Sequence, residues 1–155
     1  MHTAKQLSVS LINKPGRLAA MLTALNKGKV NFRALAVMDS GDRGTVRFVP
    51  DRDQFAAATE VLDKLNVRYD ATEVLLVEVP NQPGAFRKIC ERLAAEHLNI
   101  DYAYASFAER GAKGGGLAVF KVNNLAKAQQ VVSENGIPAN RRRLPVRRPP
   151  VRAPR

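Results

Sequence analysis

Hydrophobic and polar positions alternate with two different periods at the start of the chain. In residues 6–12 every second residue is apolar, which predicts a strand with one buried face. In residues 15–27 the apolar residues recur instead at i, i+3, i+4 and i+7, which predicts a helix with one core-facing side. A half-buried strand followed by an amphipathic helix is therefore expected here.

The pattern after this helix completes a small unit of strands and helices. Apolar and β-branched residues at 30–38 and 45–49 flank polar turn residues at 39–44, which predicts a hairpin. Residues 67–72 are expected to form a closing strand. Between the hairpin and this strand lies a second predicted helix, whose buried stripe consists of Phe55, Ala58, Leu62 and Leu65. The predicted order is β-α-β-β-α-β.

A six-residue motif occurs twice at a fixed spacing. Asn13-Lys14-Pro15-Gly16-Arg17-Leu18 recurs 68 residues later as Asn81-Gln82-Pro83-Gly84-Ala85-Phe86. The apolar positions of the next helix stay in step, and the repeat continues at Val30-Asn31-Phe32 and Leu98-Asn99-Ile100. A repeat that keeps its register indicates two copies of one supersecondary unit.

The fold predicted from this repeat is α+β, with two tandem ferredoxin-like (βαββαβ) modules whose antiparallel sheets carry helices on one face. The expected bounds are 1–72 for the first module, 73–137 for the second and 138–155 for a tail. No Pro or Gly separates the strand at 67–72 from the next one at 74–79, so the modules are expected to share one sheet with almost no linker. The other elements of the second copy are predicted strands at 99–107 and 117–122 and helices at 83–96 and 125–134.

Each motif places a Pro-Gly step at the start of a helix. Pro15-Gly16 and Pro83-Gly84 are expected at the first helical turns, and Gly28 at the end of the first helix. The first amides of a helix have no intrahelical partner and lie at the positive end of its dipole. Since glycine lacks Cβ, an anion can approach the backbone there. The motif therefore predicts a carboxylate-sized site at each helix start.

Four asparagines extend these two sites. Asn13 and Asn81 precede the prolines, while Asn31 and Asn99 open the next strand of each copy. If those strands are neighbours, two amides can hold both ends of a zwitterion. The alternative is that Asn13 and Asn81 cap helices and that Asn31 and Asn99 end them.

Composition is compatible with a soluble, cytoplasmic protein. Apolar residues make up 45% of the 155 residues, and no apolar run approaches the roughly 20 residues of a membrane span. Residues 1–5 lack the apolar segment of a signal peptide, and a single cysteine cannot form an internal disulfide.

The net charge of +11 is concentrated near the end of the sequence. Residues 138–155 contain seven arginines, five prolines and no acidic residue, so residues 1–137 carry only +4. Such a segment cannot bury a core and is expected to be extended and disordered. It is either a solvated tail or an arm for nucleic acid or an acidic partner.

Catalytic and nucleotide-binding patterns are weak. The glycine-rich turn at 109–116, expected to be mobile, lacks the Lys-Ser or Lys-Thr step of a phosphate loop. His2 and His97 stand near the start of the chain and at a helix end, and Cys90 takes the place of Leu22 on the apolar side of its helix, where an inert thiol is expected. No metal-ligand spacing occurs. The sequence thus predicts no catalysis, no cofactor and no metal.

The same strand order also occurs in RNA-binding domains, whose third strand carries stacking aromatics. Residues 44–48 supply only Phe48, so the match is poor. A nucleic-acid- or partner-binding protein therefore remains an alternative mainly because of the arginine-rich tail.

Asn-x-Pro-Gly-x-Leu after the first strand, together with Val-Asn-Phe opening the second, resembles the ACT domain. The resemblance covers about residues 5–137, in two copies. It implies a stand-alone tandem regulatory protein that binds a free amino acid as effector and acts on a regulated enzyme, with no membrane contact. Exposed strand edges and small cores further predict pairing, either between the modules or in a homodimer.

The resemblance also implies the ligand-binding residues. In amino-acid-binding members the loop asparagine and the asparagine that opens the second strand contact the effector, and here Tyr102 and Tyr104 of the second module are expected to contact its side chain. The expected ligand-binding residues are Asn13, Pro15, Gly16, Leu18, Asn31, Asn81, Pro83, Gly84, Phe86, Asn99 and Tyr102.

Three departures from the family pattern bear on the ligand. Some members carry histidine where this chain has Leu11 and Val79, so a serine-type pocket is not implied. Phe86 stands where leucine is usual, and the glycine expected near His97 is absent.

Overall fold

The structure, a computed structural model, describes residues 2–107 and 115–134. The glycine-rich turn falls mostly outside the described residues, and the predicted tail falls entirely outside them. The elements are β1 (His2–Ile12), α1 (Arg17–Lys27), β2 (Phe32–Ser40), β3 (Arg43–Pro50), α2 (Phe55–Lys64), β4 (Arg68–Val79), α3 (Ala85–Ala95), β5 (Ile100–Ser106), β6 (Gly116–Val122) and α4 (Leu125–Glu134). A short 3-10 helix, Arg52–Gln54, leads into α2. No helix of this described part is long and apolar enough to cross a membrane.

All strands join one antiparallel sheet in the order β2-β3-β1-β4-β6-β5. The two strands predicted at 67–72 and 74–79 form the single strand β4, and the boundary expected after residue 72 falls inside it. The first part of β4 pairs with β1, and the last part pairs with β6. The predicted fold class is confirmed, with β4 common to both modules.

The sheet order is symmetric about its centre. Lys5 lies opposite Glu73 in the β1–β4 register, and the 68-residue repeat relates these same two positions. An approximate two-fold axis therefore passes between β1 and β4, and each residue of the first module has a counterpart in the second.

The helices pack on one face of the sheet because the apolar positions of every strand alternate in phase. In the first module α1 and α2 cover a core formed by Leu7, Val9, Met21, Leu25, Val30, Val46, Phe48, Ala58 and Leu62. In the second module α3 and α4 cover a core that includes Leu75, Val77, Val79, Ile89, Leu93, Ala118, Phe120, Val122 and Ala128. The β1–β4 register places both sets on the same face.

The opposite face is concave. In a flat sheet β3 and β5 would lie about 19 Å apart, yet the guanidinium carbon of Arg47 on β3 lies 4.2 Å from the ring centroid of Tyr102 on β5. The sheet is therefore strongly curled, so that the two modules pack face to face. Part of this concave face is a third apolar cluster, which consists of Val49, Val74, Leu76 and Val119 with Ala4, Ala34, Tyr104 and Leu117 around them.

The other part of the concave face is polar. Gln6 is fully buried, and its Nε2 donates to the Tyr102 hydroxyl at 2.6 Å while its Oε1 accepts from the Tyr104 hydroxyl at 2.7 Å. Ser8 lies 3.4 Å from the same Nε2. Because both ends of the amide have partners, the burial of Gln6 is compensated.

The Pro-Gly steps lie just before the helices rather than within their first turns. Gly16 and Gly84 are the N-cap residues, with φ of 84° and 81°, so glycine is required there for its left-handed conformation. Gly28, with φ −76°, is not a left-handed cap; an added Cβ would lie 2.6 Å from Val61 Cγ2, so packing of α1 against α2 requires this glycine. The left-handed residue after α1 is Lys29, whose counterpart is His97.

Lys29→Gly and His97→Gly are each expected to raise the free energy of unfolding by about 0.5–1 kcal/mol. Both residues have φ of 56°, a conformation that costs a residue with Cβ about 1–2 kcal/mol, partly offset by the greater chain entropy of glycine. Gly16→Ala is the matched opposite, with an expected loss of about 1 kcal/mol, since no atom lies within 4 Å of the added Cβ. Urea unfolding measures all three, and equal stabilities would contradict the backbone argument.

Candidate ligand-binding site

The loop between β4 and α3 forms a cleft of about 370 Å³. It is lined by Pro80, Asn81, Gln82, Pro83, Gly84, Phe86, Arg87 and Phe107. Small-molecule sites commonly measure about 300–1,000 Å³, so this cleft has the size of a ligand site. It brings together the four site residues predicted from the second motif.

The start of α3 supplies backbone donors at this cleft. The N-cap residue of the helix is Gly84, which has no side chain to cap it, and the first turn contains no acidic residue. The N–H of Ala85 donates to Gln82 O at 3.1 Å, and that of Lys88 donates to Gly84 O at 3.0 Å. The amides of Phe86 and Arg87 lie between them, among the first helical amides, which have no acceptor within their own helix. The positive end of the helix dipole adds to the attraction for an anion.

Aromatic rings form the apolar wall of the cleft. The Phe86 ring stacks on Phe120 with a centroid distance of 5.3 Å and meets Phe107 edge-on at 6.3 Å. Phe107 is 48% exposed although it is a large apolar residue. A ligand with an apolar part could cover this ring.

The first motif is arranged differently. The N–H of Asn13 donates to Asp42 O at 2.9 Å, and its side-chain Nδ2 lies 3.2 Å from both Asp39 Oδ1 and Gly41 O. Asn13 is thus fastened to the β2–β3 turn and does not cap α1. The hollow beside Asn13 and Leu18 measures only about 70 Å³.

A larger hollow of about 630 Å³ opens nearby, but it contains none of the site residues predicted from the first motif, which are Asn13, Pro15, Gly16 and Leu18. Its lining consists of Ser10, Leu11, Ile12, Arg17, Arg43, Leu65, Asn66, Val67 and Arg68. Neither of these two hollows therefore provides a cleft of comparable size next to the donors of the first motif.

The structure does not bring the two asparagines of a module together. Because β3 lies between β1 and β2, those strands run parallel, and Asn13 follows the end of β1 while Asn31 precedes the start of β2. Asn13 lies level with Asp42 and Asn31 with Asp51, so nine residues, or about 30 Å along the strands, separate the two asparagines. In the second module the same order separates Val79 from Ile100 by six residues of β6, or about 20 Å, and Asn81 and Asn99 lie beyond these two strand ends. Within this chain, the two asparagines of one module therefore lie too far apart to hold one head group together.

Asn31 and Asn99 fasten the starts of their strands instead. The N–H of Asn31 donates to Gln54 Oε1 at 2.7 Å, and the N–H of Asn99 donates to Asn123 Oδ1 at 3.1 Å. The side-chain Nδ2 of Asn99 also donates to Asp101 Oδ1 at 3.0 Å. These contacts are structural.

Tyr102 and Tyr104 lie away from the second motif. A bulge between Ile100 and Tyr102 shifts the alternation, so that Ile100 packs in the helix-side core while both tyrosines face Gln6 on the concave side. Neither tyrosine lines the cleft at Asn81.

Sequence reasoning missed Phe107 and Arg87. Ala103, Ala105 and Phe107 are alternate residues and therefore share one face of the strand. Placing that face toward the helices would have predicted a position for Phe107 beside Phe86. A Cβ on Gly116 would lie 2.4 Å from the Phe107 ring, so glycine at this position allows the ring to pack. Arg87 pairs with Glu91 one turn later along α3.

The residues considered for catalysis are not grouped. Cys90 is partly buried against the core of the second module, and burial raises the pKa of its thiol. His97 is exposed at the end of α3. Within residues 2–107 and 115–134, no three His, Cys, Asp or Glu side chains are grouped as metal ligands.

Known proteins share this architecture. A family model described as an ACT domain pair matches residues 2–139, which confirms the resemblance seen in the sequence. The crystal structure of protein BT0572 from Bacteroides thetaiotaomicron is 32% identical, with a TM-score of 0.77 over 86% of this chain and 88% of that one. The ligand-free regulatory subunit of aspartate kinase from Thermus thermophilus is 15% identical and shares the fold, with a TM-score of 0.59 over 85% of this chain and 91% of that one. A search among curated proteins found no match.

Proposed function

Since the chain belongs to the ACT domain family, we propose that it is a non-catalytic cytoplasmic regulator that binds a free amino acid reversibly. The observation that supports this most directly is the cleft of about 370 Å³ at the second motif, where a helix start with a glycine N-cap meets an aromatic wall. One end of that cleft suits a carboxylate, and the other suits an apolar side chain.

The proposed binding mode uses one motif only. The α-carboxylate lies at the start of α3, near the amides of Phe86 and Arg87, and Asn81 holds the head group. The ligand side chain packs on Phe86 and Phe107, so the mode favours amino acids with an apolar side chain.

Regulation requires that the ligand bind two arrangements of the protein with different affinities. One structural neighbour is the regulatory subunit of an aspartate kinase, and by analogy the partner of this chain is an enzyme whose activity follows amino-acid supply. We further propose that the edge strand β2 pairs with a second copy, since it exposes Phe32, Leu35 and Val37 at 38%, 37% and 53%.

Isothermal titration calorimetry with the twenty amino acids tests the proposal. Asn81→Ala is expected to weaken binding by about 1–3 kcal/mol, or roughly five- to 150-fold, because polar groups of the ligand then lose their partner. Asn13→Ala is the matched control at the same motif position, and its affinity is expected to equal that of the wild type. Absence of heat with every amino acid, or equal affinities for both variants, would refute the assignment.

A further inference from the structure

A second cleft lies beside the first residues of β1, which do not pair with β3. The two strands are paired only from Leu7 to Ile12, and the same register would oppose Lys5 with Pro50, which has no N–H to donate. Residues 2–5 consequently pair with β4 alone, and a space of about 490 Å³ remains on their other side. Its lining, which we call the cationic cleft, consists of His2, Thr3, Ala4, Lys5, Arg33, Pro50, Arg52 and Phe55.

Three permanent positive charges line this cleft, and no carboxylate does. Lys5, Arg33 and Arg52 form no ion pair within the described residues. The Nε of Arg33 is buried and has no hydrogen-bond partner in this part of the chain, and Lys5 Nζ lies 5.0 Å from the Phe55 ring centroid. Like charges held together without counter-charges repel each other, and a bound anion would relieve that repulsion.

The pKa of His2 is affected by its burial and by the positive charges of the cleft. Arg33 Nη1 donates to His2 Nε2, which must therefore be the unprotonated ring nitrogen because a guanidinium has no acceptor. Burial, followed by the charges of Arg33 and Arg52, lowers the pKa of His2, while Glu78 acts in the opposite direction. Burial and the neighbouring positive charges thus both favour the neutral imidazole.

The second module shows that the fold does not require these charges. The approximate two-fold axis relates His2 to Asp70, Lys5 to Glu73 and Arg33 to Asp101. The counterpart of Arg52 is Asn124. In the first module the N–H of Asp51 donates to Asn31 O, and in the second the N–H of Asn123 donates to Asn99 O in the same way. Arg52 and Asn124 each follow the donor residue by one position. Basic residues in one copy thus stand where the other copy has acidic or neutral ones, so the clustering of cations is specific to the first module.

We propose that the cationic cleft binds a small phosphate-type dianion, either free phosphate or the phosphate group of a metabolite. Two arginines suit the several oxygens of a phosphate, and a lysine adds a point charge. Pro50 and Phe55 provide an apolar wall for the body of an ester.

Arg33 and His2 also line an adjoining hollow of about 500 Å³ together with Glu78, Gly115, Gly116 and Leu117 of the second module. Anion binding at Arg33 therefore acts at the junction of the modules, and the cationic cleft shares no lining residue with the amino-acid cleft.

Calorimetry with inorganic phosphate and with glycerol 3-phosphate tests this site. Saturable binding is expected for the wild type, and Arg33→Gln/Arg52→Asn is expected to weaken it at least about tenfold, the effect of losing roughly 1.4 kcal/mol. This variant should fold, since the second module has acidic or neutral side chains at both positions, and circular dichroism checks it. Tighter binding of the ester assigns the site to a phosphorylated metabolite, whereas equal affinity assigns it to free phosphate.

Lys27→Gln/Lys88→Gln removes the same net charge from exposed helix positions outside the cleft and is expected to leave the phosphate affinity unchanged. His2 and His97 are the only histidines, so NMR titration can follow each ring. Bound anion is expected to raise the pKa of His2, because an anion stabilises the nearby imidazolium. The proposal fails if phosphate does not saturate, if both double variants weaken binding equally, or if phosphate leaves the titration of His2 unaltered.

Discussion

Phe120→Ala is expected to lower the free energy of unfolding by about 3–5 kcal/mol. The ring is fully buried in the core of the second module, where it stacks on Phe86 at 5.3 Å. Truncation leaves a cavity beneath the aromatic wall of the proposed amino-acid cleft, so Phe86 loses its support. The same variant is therefore also expected to weaken amino-acid binding, measured by calorimetry at a temperature where it remains folded.

Phe48→Ala is the matched control for this change. Phe48 is the counterpart of Phe120, since Leu7 lies opposite Phe48 and Leu75 lies opposite Phe120 in the strand registers, and it is equally buried. Urea unfolding should show a loss of similar size, but amino-acid affinity should remain as in the wild type. A loss below about 1 kcal/mol for Phe120→Ala, or equal binding defects in both variants, would contradict the argument.

The second large effect is expected for Gln6→Leu, which should lower the free energy of unfolding by about 2–4 kcal/mol. Each polar group that loses its only buried partner costs about 1–3 kcal/mol, and this substitution removes the partner of both Tyr102 and Tyr104. Burial raises the pKa of the Tyr104 hydroxyl, which is consistent with a poorly hydrated site.

The triple variant Gln6→Leu/Tyr102→Phe/Tyr104→Phe provides the control. Replacing both partners of a buried hydrogen bond by apolar groups of similar shape can be nearly neutral, and this variant replaces Gln6 together with both tyrosines, so it is expected to unfold close to the wild type. The counterparts of Gln6 and Tyr102 are Val74 and Ala34, which already form an apolar cluster on the other part of the concave face. A triple variant as unstable as the single one would show that packing, not hydrogen bonding, is decisive.

Local patterns predicted most of the fold. Periods of two and 3.6 located the strands and helices because each element buries one face against its own module. The absence of Pro and Gly between 67–72 and 74–79 is compatible with their joining into one strand, but the pairing of β4 with β1 on one side and β6 on the other leaves no local signal. Gln6 shows what local patterns cannot predict. The alternation places this polar residue on the face away from the helices, where exposure to solvent would be expected. It is buried because the sheet curls.

The candidate site was predictable as a loop but not as a pair of asparagines. Repetition identified both motifs, yet the separation of Asn13 from Asn31 depends on β3 lying between their strands, which spacing in the sequence cannot reveal. The difference between the two loops is equally non-local, since Asn13 is held by the turn at Asp39–Gly41 and Phe107 reaches the cleft from another strand.

Because β4 belongs to both modules, no hinge connects them. A movement of one module relative to the other must change the coiling of a continuous hydrogen-bonded strand, which is stiff compared with a flexible linker. Effector binding would then change the twist of the sheet slightly over the whole length of β4, and it would not rotate one rigid module against the other. Amide hydrogen exchange around Glu73, at the centre of that strand, is where such a response would be recorded.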